Sequence, residues 1–447
     1  MNHFVLRATM LGVLAVCQPV FADEISDLKA EIAAQKQAAE AQRARLDALE
    51  QKLNGVQQQQ AATVSAPPPG PEGNAATGVS FKQGQGLTYS APSGSVSLYG
   101  LIDVSYVHAN NGNANGDSFN SPRVAWFSGN RWGITGNRAM GDSGMDVIFR
   151  LEAEYESQTG SDDTPGVTFN RDAWVGVQSA ALGKITLGRQ NAIGRDPIAS
   201  AIYGDPYGPA APSTDEGGYS NNNNFKQLIF YAGSATGTRL NNGVVWKKKF
   251  DNGLFAGASY QFGGIAGDFS KGSSETVSLA YAGGPFNVAG FATSANVAGL
   301  TNRSYSVGGN YTVGPVRINA GAFHYTAEQG ALGALGSRSD NAYTVSAKFA
   351  PAGSMDYELG YQNMKANNAA VNGGGNVLNA FANASTATAT ATGSRATLYA
   401  SAFYHFDKVT EVYVAADYLK LKDGYKFGAT NGFPSQSELA VGLRTRF

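Results

Sequence analysis

The chain has 447 residues and a formal net charge of −1, with 33 Lys+Arg against 34 Asp+Glu, so no polycationic surface for nucleic acid is present. A single Cys excludes a disulfide framework, and no apolar run of about 18 residues follows the N-terminus to supply a membrane-spanning helix. With 56 Gly, 21 Tyr and 23 Phe but only 4 His, the composition suits many short strands joined by turns better than an α/β enzyme.

Residues 1–22 read as a secretory signal peptide. Arg7 supplies the charged start, Met10 to Val16 the apolar core, and Val20-Phe21-Ala22 the small-residue cleavage site. A lipoprotein signal ending at Cys17 is the rival reading, but Val16 stands where that processing takes a small residue. Cleavage after Ala22 removes the Cys and implies export.

Residues 23–54 carry a heptad pattern. Ile25, Ile32, Ala39, Leu46 and Leu53 take position a, and Leu28, Gln35, Gln42 and Leu49 take position d. Apolar seams with charged flanks predict a coiled coil of roughly 45–50 Å, in which Gln35 and Gln42 weaken the seam but fix register. A lone amphipathic helix is the plainer alternative. Residues 55–95 read as a linker rich in Gln, Pro and Gly; its Ala66-Pro67-Pro68-Pro69-Gly70-Pro71 stretch is stiff, and residues 75–95 show no clear period.

From Val96 to Phe447 the hydrophobic period becomes two. Val96 to Val104, Asp146 to Tyr155, Glu275 to Tyr281, Tyr305 to Tyr311, Val316 to Tyr325 and Glu411 to Leu419 all alternate, with Gly, Asn, Asp and Ser at the breaks. No helical crossover pattern separates them, so the expected fold is all-β: a sixteen-stranded antiparallel transmembrane β-barrel preceded by the helical segment. Alternation alone does not say which face is inside. The polar face groups opposite charges, as where Arg150 lies with Asp146, Glu152 and Glu154. The apolar face ends in Tyr106, Tyr155, Tyr281, Tyr311 and Tyr325, as an interfacial aromatic girdle does, which favours lipid outside and water within. In the last strand Leu439, Val441, Leu443 and Phe447 alternate with Arg444 and Arg446.

These segments resemble the general porins of Gram-negative outer membranes, in particular the neisserial and β-proteobacterial branch. The likeness runs from about Val96 to Phe447. It rests on the order of Leu98-Tyr99-Gly100-Leu101-Ile102-Asp103, Asn130-Arg131-Trp132-Gly133-Ile134-Thr135-Gly136, Arg171-Asp172-Ala173-Trp174, Gly188-Arg189-Gln190 and the terminal Val441-Gly442-Leu443-Arg444-Thr445-Arg446-Phe447. The resemblance implies a homotrimer in outer-membrane lipid, each barrel a passive pore for small hydrophilic solutes and ions, without cofactor or metal. It also implies a third loop, here about 191–237, folded inward to narrow the channel. Such an eyelet sets wall arginines against loop acids: Arg131, Arg150, Arg171 and Arg189 on the wall, and Asp205, Asp215 and Glu216 on the loop. Phe447 matches the terminal signature read during barrel assembly.

The chain departs from the pattern in three respects. Leu101 stands where enterobacterial members carry lysine, and their Pro-Glu-Phe-Gly-Gly loop motif is missing. The heptad segment is unusual, although it is similar to the helical extensions of a smaller group of trimeric porins. An even strand number puts both barrel ends in the periplasm, so the coil is expected there as a spacer, a trimerisation aid or a contact to the cell wall or a partner. A substrate-selective channel and a tethered structural or adhesive protein are the alternatives. A barrel enzyme has little support, since His108, His324 and His405 are not accompanied by a nucleophile motif.

Overall fold

The computed structural model describes residues 77–82, 86–124, 127–195, 236, 239–350, 353–373, 375, 377–378, 384–425 and 432–447, with five earlier positions. Residues 1–74 and 75–447 form separate compact units. In the first, Lys29, Ala33, Lys36, Gln37 and Glu40 are helical and exposed. None of them occupies an a or d position, so the expected coiled-coil seam lies outside the described residues.

The second unit is one antiparallel sheet. It starts with β1 (Gly78–Lys82), β2 (Gly86–Ala91), β3 (Gly94–Ala109) and β4 (Phe119–Val124). Next come β5 (Arg131–Ala139), β6 (Asp146–Glu154), β7 (Asp172–Ser179) and β8 (Gly183–Asn191). Beyond the third loop lie β9 (Arg239–Lys249), β10 (Leu254–Gln261), β11 (Ser274–Gly283), β12 (Phe286–Val297) and β13 (Leu300–Val313). The wall finishes with β14 (Val316–Glu328), β15 (Ser337–Phe349), β16 (Met355–Ala370), β17 (Thr390–His405), β18 (Thr410–Asp423) and β19 (Ser435–Arg446). Each of β5 to β18 pairs with its successor, and β19 and β5 both pair with β3, which closes a ring of 16 strands. Closure leaves no open edge around the ring, as a lipid-embedded sheet requires.

β3 is the strand on which the ring closes, and each of its edges is shared. On one edge β19 pairs from Ala109 down to Leu101, and β2 takes over from Leu98 to Gly94. On the other, β4 pairs with Val104 to Ala109 and β5 with Gly94 to Leu101. Between β19 and β2, Gly100 and Phe447 exchange backbone hydrogen bonds of 2.9 and 3.0 Å. The Phe447 ring then lies so close over Gly100 that an added Cβ would sit 2.2 Å from Cζ.

The β1–β2 hairpin falls within residues 75–95, the part of the linker segment in which the sequence showed no clear period. Its period was present in Val79/Phe81 and Leu87/Tyr89, but the strands are too short and too interrupted by Gly to stand out. Those four side chains are exposed, and Leu87 and Tyr89 continue the outward row of Leu98 and Val96.

The faces are inverted relative to a water-soluble sheet. On β13, Tyr305, Val307, Tyr311 and Val313 are 46–58% exposed while Ser304, Ser306 and Asn310 are buried. Apolar side chains therefore meet lipid and polar ones line the interior, which is the arrangement of a membrane barrel. Tyr106, Tyr281 and Tyr311 project outward as girdle residues. Tyr325 does not: its register partners Ser304 and Asp340 place it inside, 4% exposed. Short turns gather at the end holding Gly94 and Phe447, the periplasmic end in bacterial barrels, and the long connections gather at the other.

Replacing Gly100 by Val drives a side chain into the Phe447 ring at the closure point. The expected cost is about 1–3 kcal/mol, read as a lower temperature for loss of the compact, heat-modifiable band on SDS gels.

Candidate functional site

Polar alternation along β5–β8 brings a charged cluster onto the interior wall. Arg131 sits opposite Glu154, Glu152 opposite Asp172, and Arg150 opposite Trp174. Tyr99 on β3 joins the cluster by donating from its hydroxyl to Glu152 Oε2 at 2.7 Å.

The four wall arginines expected from the sequence have different environments. Arg171 is 2% exposed and clamped by two carboxylates: Nε to Glu152 Oε1 and Nη1 to Glu154 Oε2, both at 2.5 Å. A guanidinium so enclosed stabilises the wall and has little surface left for solutes. Arg150 is much less enclosed than Arg171. Its side chain is 40% exposed, its nearest carboxylate oxygen is 3.6 Å away on Asp172, and it lies 5.8 Å from the Tyr99 ring and 5.9 Å from the Trp174 ring. Aromatic walls hold a cation in place without neutralising it. Lys184 Nζ covers the Trp174 ring at 4.0 Å and extends this basic run to β8. Arg131 is half-buried, and its Nε donates to the Gly129 carbonyl at 2.9 Å.

Arg189 departs from the expected set. It pairs with Ala173, on the parity of the outward residues Val175 and Leu187, beside a register shift between Gly188 and Gln190. Its Nε donates to the Asn170 carbonyl at 2.6 Å and its Nη1 to Asn241 Oδ1. Thr186 and Gln190 are both buried, so alternation along β8 already puts Arg189 on that parity; it was the resemblance that placed it on the wall. Asp205, Asp215 and Glu216 lie outside the described residues.

The third loop's first turn is described and enters the barrel. The 3-10 turn Ile193–Arg195 follows β8, and Ile193 is fully buried over Gly257, where an added Cβ would meet its Cδ1 at 2.2 Å. Gly194 rests against the ring of Phe291. Gly257 and Phe291 both face inward, by their pairing with Lys247 and with Ser278 and Ser306.

A second constellation occupies the neighbouring wall, on β17, β18, β19 and β3, and the sequence reading did not find it. Asp103, fully buried on β3, accepts from the backbone N–H groups of Phe127 (3.0 Å) and Ser128 (2.9 Å) and from the Tyr413 hydroxyl at 2.6 Å. These bonds pull the end of the first loop inside, where Phe127 packs on Phe403 and Tyr413 with ring centroids 4.9 and 4.8 Å away. Beside it Arg444 Nε donates to Glu411 Oε1 at 2.5 Å, and Nη1 to Ser128 Oγ at 2.9 Å. The only sequence signal was Asp103 itself, a carboxylate within an otherwise apolar first-strand motif.

Above the first cluster, the second loop carries Glu156. Burial first and then the Asp163 carboxylate hold its carboxyl above the ordinary range.

Comparison with known proteins agrees with this architecture. A sequence profile described as Gram-negative porin matches residues 70–424. An outer membrane porin protein of Bordetella pertussis is 29% identical over 250 residues, covering 50% of this chain and 62% of that protein. The chain thus spans less than two thirds of the curated relative's length. Among solved structures, an anion-selective porin from Comamonas acidovorans matches with a TM-score of 0.60 at 21% identity, over 79% of this chain and 100% of the other. The trimer form of OmpT from Vibrio cholerae gives 0.53 at 15% identity, covering 79% and 100%. OmpF of Salmonella typhi, complexed with daunomycin, gives 0.53 at 17%, covering 79% and 98%. At such identities the structures establish the shared fold, while the profile spans most of the chain. This chain belongs to the Gram-negative porin family, and its barrel resides in the outer membrane.

Proposed function

We propose that the protein is a passive diffusion channel for small hydrophilic solutes and ions, with its charged constriction on the β5–β8 wall. The observation that carries this reading is Arg150, a guanidinium open to the interior and fixed between Tyr99 and Trp174. A fixed, exposed cation on one wall favours passage of anions and orients dipolar solutes. The opposing half of the constriction is assigned to the third loop, whose first turn already packs inside, with Asp205, Asp215 and Glu216 as its acids. Arg131 joins Arg150 in the selective set. Arg171 is assigned to wall stability and Arg189 to the rim. The Comamonas relative is named an anion-selective porin and the Vibrio relative is titled a trimer form, which supports anion preference and a homotrimer here. The heptad segment 23–54 is assigned to the periplasm, as a spacer or trimerisation aid.

In planar bilayers the purified protein is expected to insert with conductance steps in groups of three; membranes that stay silent would overturn the channel reading. Solute flux should rise linearly with concentration, whereas saturation at low concentration would favour a substrate-selective channel.

Replacing Arg131 and Arg150 by Ser is expected to move the reversal potential in a salt gradient toward cation preference while the barrel still folds. Arg171→Ala is expected to behave differently. It strands Glu152 and Glu154 without their partner at a cost of about 3–5 kcal/mol, read as lost heat resistance of the folded band.

Deleting residues 23–54 is expected to leave single-channel conductance intact and to lower the temperature at which the trimer dissociates.

A further inference from the structure

Of the three histidines in the described barrel, His108 and His324 sit on the outward parity near the long-loop end, each with Nδ1 at an Asn oxygen. Among the described histidines His405 alone faces the interior, by its pairing with Glu411, and it ends β17 at the short-turn mouth. Its two ring nitrogens both meet carboxylates. Nε2 is 2.8 Å from Asp356 Oδ2 on β16, and Nδ1 is 2.8 Å from Glu411 Oε2 on β18.

That geometry fixes a proton count. A neutral imidazole has one N–H and one lone pair, so it can donate to only one of two carboxylates and must turn its lone pair toward the other. Two short contacts to two acceptors are satisfied together only when a proton is added, and the imidazolium is the form that donates to both sides. The surroundings are densely charged. Lys348 on β15 reaches Asp356 at 2.9 Å and Glu358 on β16 at 3.4 Å, while Arg444 and Arg446 on β19 approach Glu411. Asp103 of β3 stands behind Arg444 and Tyr413, and the adjoining turn carries Asp407 and Lys408. The His405 ring is also stacked on Phe403, with centroids 6.2 Å apart at 10°, which restricts its escape from the clamp.

We propose that His405 is a specificity-determining residue of this pore, a proton-binding site whose occupancy sets the charge of the periplasmic mouth and thereby the ion preference of the channel. With the proton bound, the imidazolium ties Asp356 and Glu411 together. Once the proton leaves, the mouth loses one positive charge per barrel, and one of the two carboxylates loses its imidazole donor while keeping its Lys348 or Arg444 partner. Raising the pH therefore shifts selectivity toward cations, and acidification shifts it toward anions.

This inference rests on the channel reading, and the two fail differently: silent membranes end the former reading, whereas conducting channels of pH-independent selectivity end this one. The test is the reversal potential of the wild-type trimer in a KCl gradient, titrated from about pH 5 to about pH 8 in one compartment at a time. A shift toward cations with rising pH is expected from one side of the membrane and not the other. His405→Gln is expected to lose that shift, and His405→Lys to hold the low-pH preference throughout. Asp356→Asn lets a neutral ring be satisfied on both sides, so the midpoint of the shift is expected to move to lower pH. A His405→Gln channel that keeps the wild-type titration, or an Asp356→Asn channel with an unmoved midpoint, would overturn the proposal. Heat-modifiable mobility of each variant establishes that it is folded before the recordings.

Discussion

The pairing of β19 with β3, which ends in the two backbone hydrogen bonds between Gly100 and Phe447, is the contact on which the molecule depends. Until it forms, the sheet has two long edges, and in hydrocarbon each unpaired amide or carbonyl there costs several kcal/mol. At Phe447 the contact requires a glycine, because the terminal aromatic ring occupies the space any side chain would need. The final residue thus closes the ladder and also covers the backbone at the seam. The C-terminal Phe is a structural member of the wall as well as the last residue of the chain.

Closure produces an interior where charge is plentiful but mostly committed. Arg171 is enclosed by Glu152 and Glu154, Arg338 by Asp340 at 2.7 Å, and Arg444 by Glu411. Pairs of this kind offset the cost of removing ions from water and contribute little net field to the channel. On the proposed function, selectivity falls to the minority whose partners are distant or whose contacts depend on a proton. Arg150 belongs to the first group, being held by rings more than by its 3.6 Å carboxylate, and His405 to the second. Hydrophobic side chains have a place inside as well: Phe127, Val377 and Tyr425 come from connections at the long-loop end and pack among interior residues, so part of the lumen is filled.

Much of the barrel was legible in the sequence because the period of two survives wherever one face meets lipid and the other water. The strands from Val96 to Phe447, the outward Leu439-Val441-Leu443 row and the inward arginines of the last strand follow from that rule. It fails where residue type or resemblance was set above parity. Arg189 entered the wall set by motif, although the buried Thr186 and Gln190 put it on the outward parity of β8. Tyr325 looked like a girdle residue because its aromatic type was weighed above its register. Arg171 entered the eyelet wall by motif, and its clamp did not show because its carboxylates lie 17 and 19 residues away in sequence, on β6, beyond what spacing along one strand reveals. The clamp around His405 draws on β16, β17 and β18, and no local pattern announces it. The eyelet acids of the third loop remain an assignment from resemblance.

The short β1–β2 hairpin has a consequence for how the last strand finds its place. On one edge of β3, Phe447 ends opposite Gly100 and β2 begins opposite Leu98, so Tyr99 is all that separates them. A slip of β19 by one residue would exchange its lipid and water faces and be rejected on solvation alone. A slip by two preserves both faces, and solvation gives no protection against it. In one direction it would drive Phe447 into ground that β2 already holds. The hairpin therefore acts as a doorstop, excluding by simple occupancy the even-numbered slips toward the periplasm that hydrophobic patterning cannot detect.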